Sequence, residues 1–295
     1  MMGKRESIRD RVFTGIVYTL VFLCALICIY PLYLVLINSF SDPVEVASGN
    51  VLLWIKGLTL DGYKMALEDN SIVTGYLNSL FYLIAGTIVN LLLTVPAAYA
   101  LSKPHLGGRR IFTLLIIFTM YFSGGTIPTY LVFRGLGLLN TRWAVLLAGA
   151  VSTSNLIIAR TFFVSSIPKG LEEAAEIDGA STLQIFLKVV LPLSKAMIGV
   201  LTLYYAVARW NSYIPSLYYQ ARSPEMWPLQ MILRKILLLA SKLQDIDPEK
   251  AEYYASLANQ MKYAVVVLAS LPLLIIYPFV QKYFDKGIMM GSLKG

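Results

Sequence analysis

Charged residues are scarce in this sequence. They make up 14% of its 295 positions, against 57% hydrophobic. Soluble domains carry about a quarter charged residues, so a soluble globular class is set aside at once. Histidine occurs once, at His105, with no second ligand nearby, which argues against a histidine-built metal site. Cysteine occurs twice, as Cys24 and Cys28 inside one apolar run. Helical spacing would suit a metal or redox pair, but the simpler expectation is small apolar residues buried in a helix. No G-x-x-x-x-G-K-[ST] run is present, so the chain does not bind ATP in that way by itself. Short alternating strands, which a membrane barrel needs, give way to long unbroken apolar runs. No nucleophile–base pair marks a membrane enzyme, and no charged ring or filter-like repeat marks a channel. The net charge of +8 is spread beside apolar runs rather than gathered in a block, which points away from nucleic acid.

What remains is a membrane protein. Several runs reach the roughly 20 residues a helix needs to cross a bilayer. Residues 1–11 form a polar start with Lys4, Arg5, Arg9 and Arg11, expected in the cytoplasm by the positive-inside rule. The first span is expected over 12–37, with Pro31 as a candidate kink; it is too long for a signal-peptide core and is expected to stay in the mature protein. A mixed polar loop outside follows over 38–70. The second span runs over 71–101, interrupted by Pro96, and returns to a turn carrying Lys103, Arg109 and Arg110 without an acid. The third goes out over 111–131, with a break or wide bend expected at Gly124-Gly125 and Pro128. The fourth descends over 142–166 from Trp143. The fifth rises over 193–213. A long external segment, 214–260, holds an amphipathic stretch over 227–244, and the sixth span descends over 261–280. The expected fold class is therefore all-α: an integral membrane bundle of six spans with both termini cytoplasmic, residues 12–295 forming one domain.

The longest polar interruption near the middle is Pro168 to Pro192. Glu172 and Glu173 fall in the first turn of a short helix, where the macrodipole favours acids. Ala174 and Ala175 give it a small-sided face. Asp178-Gly179 reads as its end, since glycine takes the left-handed cap conformation. Ser181 or Thr182 can cap the next helix, and Pro192 marks the turn into the fifth span. Periodicity alone leaves two readings open: a helix–turn–helix along the inner face, or a solvated loop.

Glu173-Ala174-Ala175, then Gly179, Val189 and Leu191-Pro192 at fixed spacing resemble the EAA signature of permease subunits in bacterial ABC importers; Val189 stands where that family usually has isoleucine. Asn78-Ser79-Leu80, Gly137 to Thr141, Trp210-Asn211, Leu271-Pro272, Gln281 to Phe284 and the stretch from Gly287 to Gly295 are similar to its carbohydrate, maltose-type branch. Ser123 to Tyr130 and Ser41-Asp42-Pro43 resemble the subgroup handling complex oligosaccharides and polysaccharide fragments; Ile55, where proline is frequent there, is a departure.

The resemblance implies a permease bundle of the type I importer class. It makes the 168–192 element a coupling helix that docks on a separate ATP-binding subunit through Glu172, Glu173, Ala174, Ala175, Asp178, Gly179 and Ala180. It also implies a second, similar permease, two ATP-binding subunits that use ATP and Mg2+, and an external solute-binding protein. The chain itself would bind no cofactor, perform no hydrolysis and sit in the bacterial cell membrane. For the substrate path the candidates are Asn155, Tyr204, Tyr205, Arg209, Trp210, Asn211 and Tyr213, because sugars bind to aromatic faces flanked by hydrogen-bonding groups. A cavity Arg209 would suit a uronate, whereas Arg160 is expected to snorkel to the cytoplasmic edge. The nearest rival is a permease for peptides or amino acids, since the EAA element serves many substrates.

Overall fold

The computed structural model describes residues 8–68, 70–240, 256, 260–272 and 274–275. The basic C-terminal tail and the motif residues from Gln281 onward lie outside the described residues, as do most of 241–259 and the end of the sixth expected span. Every regular element among the described residues is helical. The chain divides into two compact units, 1–69 with 233–270 and 70–232 with 271–295.

In the first unit, α1 (Ile8–Ser39) is 32 residues long and passes through Pro31 without ending. It is apolar on all sides and only 6% of its most apolar window is buried. Cys24 and Cys28 are therefore exposed on it, not buried as expected: a helix apolar all round offers its side chains to lipid rather than to a core. The loop beyond it is held by polar contacts. Asp42 caps α2 (Pro43–Ala47) by accepting from the Val44 N–H at 2.8 Å, with Pro43 pre-set for the first helical position. Gln260, fully buried, accepts from the N–H of Gly62 in α3 (Asp61–Glu68) at 3.0 Å and donates to the Ser41 carbonyl at 2.8 Å. Asp61 sits at the start of α3, its carboxyl held below the usual range by the Thr59 hydroxyl and then by Lys64.

The second unit is organised on α4 (Asn70–Ser102), 33 residues that span about 50 Å and continue through Pro96. Polar segments sort to its two ends. At the N-terminal end Asn78 donates to the carbonyls of Glu225 and Trp227 and accepts from Arg142. Tyr82 donates to the Met226 carbonyl, and Gln220 donates to the Tyr82 hydroxyl. At the C-terminal end Arg160 donates to the Leu101 carbonyl, and Lys103 pairs with Glu172.

Three expected spans differ from simple rods. The third is α5 (Arg109–Tyr121) followed by α6 (Thr126–Gly135), which turns by 120°. Gly125, at φ +89°, allows that turn. Thirteen residues rise only about 20 Å, short of the ~30 Å hydrocarbon core. The fourth is not continuous: α7 (Arg142–Leu147) ends, residues 148–152 are non-helical, and α8 (Thr153–Ser166) restarts under a Ser152 cap. Gly149, at φ +65°, makes that break. After α9 (Lys169–Ile177), α10 (Thr182–Ile185) runs through a π turn, Phe186–Val190, into α11 (Leu191–Leu193). Pro192 has no N–H to return to the preceding turn, which suits the wider winding there. The path then bends by 81° at Ser194 into α12 (Lys195–Trp210). Beyond it come α13 (Ile214–Tyr219) and α14 (Leu229–Ala240); α14 falls within the amphipathic stretch expected at 227–244.

In a bilayer apolar burial between helices gives little driving force, so close packing and polar contacts hold them. Ala98 of α4 and Ala159 of α8 are fully buried and allow those helices to approach. Tyr99, Phe163 and Phe186 cluster beside them, with the Phe163 and Phe186 ring centroids 5.6 and 4.9 Å from that of Tyr99.

Candidate functional site

The break between α7 and α8 leaves backbone carbonyls without helical partners, and each one buried unpaired would cost about 1–3 kcal/mol. Each carbonyl from Ala144 to Ala150 has a donor. The N–H groups of Ala148 and Ala150 serve Ala144 and Leu147. Arg209 donates through Nη1 to Val145 at 2.7 Å and Ala148 at 3.1 Å, and through Nη2 to Leu146 at 2.8 Å. Asn90, in the middle of α4, donates to Gly149 at 3.1 Å and Ala150 at 2.7 Å. Its side-chain oxygen accepts from Arg209 Nε at 2.9 Å. Tyr205 completes the frame: its hydroxyl accepts from the Ser152 N–H at 3.2 Å and meets Thr94 Oγ1 at 2.7 Å.

Gly86 makes room for this arrangement, since a Cβ there would lie 2.8 Å from Arg209 Nε. Arg209 is only 7% exposed. A buried guanidinium is costly unless it is hydrogen-bonded, and here backbone carbonyls and one amide do that work.

A cleft of about 560 Å³ opens beside the break. Asn155, Tyr204, Tyr205 and Arg209 line it, together with Ser123, Thr126 and Tyr218. The other three sequence candidates are elsewhere. Trp210 is buried at 1% exposure, its ring edge-on to Tyr76 at 5.9 Å. Asn211 closes α12 by donating to the Val207 carbonyl. Tyr213 does not line the cleft. Sequence reasoning missed Asn90, although an asparagine at the centre of an apolar span is itself a signal of interhelical work.

At the far end of α4, α9 forms as the spacing predicts. Asp178, Gly179 and Ala180 close it: the Gly179 N–H reaches the Glu176 carbonyl and the Ala180 N–H reaches Ala175, each at 3.0 Å. Gly179 sits at φ +79°, the left-handed cap of a Schellman motif. Ser181 and Gln184 form a reciprocal capping box for α10. Ala175 and Ala180 pack on the apolar cluster below. Glu172 turns inward to Lys103, whose Nζ also lies 4.2 Å from the Tyr99 ring centre. Glu173, Ala174, Glu176, Ile177 and Asp178 face outward, Ile177 at 87% exposure.

Long apolar helices, broken spans framing a polar cleft, and a capped amphipathic helix presented at one end define a membrane translocation subunit. The chain belongs to the binding-protein-dependent transport system inner membrane component family, which matches residues 71–290. It is 40% identical over 287 residues to the polygalacturonan/rhamnogalacturonan transport system permease protein YtcP of Bacillus subtilis, covering 97% of this chain and 100% of that one. Protein LplC of the same organism is 41% identical over 269 residues, 91% of this chain and 90% of the relative. Among solved structures, a bacterial ABC transporter involved in import of the acidic polysaccharide alginate superposes with a TM-score of 0.85. That chain is 36% identical, and the match covers 95% of this chain and 99% of it.

Proposed function

We propose that this chain is one permease subunit of an ATP-driven importer of acidic oligosaccharides released from polysaccharides. It lies in the bacterial cell membrane with six spans and both termini in the cytoplasm. The observation that carries the substrate class is end-to-end similarity, at 40% identity to a permease named for polygalacturonan and rhamnogalacturonan and at 36% to a chain of a transporter that imports alginate. The topology is supported by the pairing of Lys103 with Glu172, which joins the basic turn after α4 to α9 on one side of the membrane. A peptide cargo has no comparable support.

The α9 helix is the coupling element. Its outward residues, Glu173, Ala174, Glu176, Ile177 and Asp178, dock on one of two separate ATP-binding subunits, which hold ATP and Mg2+. A second, similar permease and an external solute-binding protein complete the importer. Closure of the ATP-binding pair pushes α9, and the spans switch the cleft between inward and outward access. ATP energy enters through differential affinity for those two states.

Gly179 provides the test. A Cβ there meets nothing within 4 Å, so a substitution adds only left-handed backbone strain, about 1–2 kcal/mol. Asparagine tolerates that conformation; aspartate does too, but adds charge to the docking face. Gly179→Asp is expected to abolish ATP-driven sugar uptake with membrane insertion intact, while Gly179→Asn keeps most of it. Normal uptake by Gly179→Asp would overturn the coupling assignment.

A further inference from the structure

The cleft has one cation among its described lining residues, Arg209, and its guanidinium is engaged by Asn90 and three backbone carbonyls. An acidic sugar entering the cleft therefore needs another partner. Two features face it. The first is the start of α6. This ten-residue helix begins at Thr126 with Gly125 as its cap, and no side chain caps it. Pro128 has no N–H, and the Thr129 N–H already reaches the Gly125 carbonyl. The N–H groups of Thr126 and Ile127 are left without a protein acceptor among the described residues, at the positive end of the helix dipole. Gly125, Thr126 and Thr129 all line the cleft.

The second feature is Asn155. It is 9% exposed and lines the same cleft. Its backbone N–H serves the Ser152 cap, but its side-chain amide has no hydrogen-bond partner among the described residues. That amide stands at the cleft wall with its donors free to pair with a ligand.

Resting on the importer reading above, we infer that the α6 N-terminus and Asn155 together form a subsite for the carboxylate of a uronic acid residue. The two N–H groups and the Asn155 amide donate to the carboxylate oxygens. Neutral donors suit a transport path: they favour an anion at a helix N-terminus without the grip of a fixed positive charge, so the sugar is released. Arg209, by contrast, is occupied as a frame.

The test uses the complete importer, purified with its partner subunits and reconstituted in liposomes. The probes are trigalacturonate and its fully methyl-esterified, neutral form. Thr126→Pro deletes one of the two N–H groups at a first helical position that proline suits; Thr126→Ala removes the hydroxyl and keeps the N–H. Asn155→Asp replaces a donor by a like charge. Thr126→Pro and Asn155→Asp are each expected to lower the preference for acid over ester about tenfold, the scale of one lost hydrogen bond to a charged group. Thr126→Ala keeps the preference. Equal loss for acid and ester, or an unchanged ratio in both variants, overturns the subsite. So does a wild-type importer that moves neutral oligosaccharides but not trigalacturonate, which refutes the acidic cargo and leaves the sugar-importer reading standing. An importer that moves no carbohydrate refutes that reading instead.

Discussion

Arg209→Gln separates a framing arginine from a substrate-binding one. Arg209 donates four hydrogen bonds, three to the broken fourth span and one to Asn90. Glutamine is shorter and carries two amide protons, so at least two of those four acceptors lose their partner. A buried acceptor left unpaired costs about 1–3 kcal/mol, which puts the loss at about 2–6 kcal/mol. The unfolded chain in a membrane also finds partners, and water can enter from the cleft, so the lower half, about 2–4 kcal/mol, is expected. That should lower the midpoint of thermal unfolding of the purified complex by roughly 5–15 °C. Uptake of acidic and neutral oligosaccharides should fall together, because the damage is to the shape of the path. Arg209→Lys should fare little better, since one ammonium cannot reach acceptors spread over the Val145–Ala148 turn. An Arg209→Gln complex with unchanged melting and a loss confined to acidic sugars would refute the framing role and make Arg209 a substrate ligand.

Three further outcomes are expected. Gly86→Ala drives a methyl group to within 2.8 Å of Arg209 Nε and 2.9 Å of its Cδ; it should destabilise the complex by about 1–3 kcal/mol, measured by the same melting assay. Lys103→Glu should weaken transport per ATP hydrolysed by turning its pair with Glu172 into repulsion, and the exchanged Lys103→Glu/Glu172→Lys pair should restore it; each side chain is about a fifth exposed, so the coupling is about 1 kcal/mol in a double-mutant cycle. Ser181→Ala removes half of the capping box that starts α10 and should cost about 1 kcal/mol, seen as faster amide exchange over Ser181–Ile185.

The apolar runs and basic turns placed the long helices, because composition and length alone distinguish a span. The α9 helix and its glycine end were equally readable, since a cap needs a particular residue at a particular place. The interruption of the expected fourth span was not read. Gly149-Ala150-Val151-Ser152 is apolar enough to pass as helix, and only its donors reveal the break. Those donors come from 59 to 64 positions away, from both directions along the chain, in Asn90 and Arg209. Local periodicity does not see contacts at that distance. The same limit explains the substrate candidates. Tyr204, Tyr205 and Arg209 face one cleft while Trp210 and Asn211, next in sequence, turn away: a helix advances about 100° per residue, so a run of suitable residue types is split between faces.

The two ends of the second unit are joined by packing rather than by a single wire. Ala175 and Ala180, on and just beyond α9, rest on the cluster that contains Val190, Met197 and Leu201. Leu201 lies one turn before Tyr205 and two turns before Arg209 on α12, and those two residues hold the break in the fourth span beside the cleft. Between α9 and α12 the chain has a π turn and the 81° bend at Ser194, whose hydroxyl returns to the Val190 carbonyl at 2.7 Å. With α9 as the coupling element proposed above, a straight helix would carry its push only along its axis. A bent one converts it into rotation of α12, and rotation of α12 moves Arg209 against the five carbonyls that it and Asn90 satisfy. Those carbonyls need a donor in every state of the transport cycle, since each one left buried and unpaired costs about 1–3 kcal/mol. Arg209, Asn90 and residues 145–150 must therefore move as one body, and the hinge has to lie at Ser194 or beyond the break, at Val151–Ser152. A crosslink that fixes α4 to the 149–150 segment through positions other than Asn90 should leave transport intact, while one that fixes the Ser194 bend should stop it with ATP binding retained. Arrest by the first crosslink and free passage with the second would place the moving joint inside the frame and overturn this mechanics.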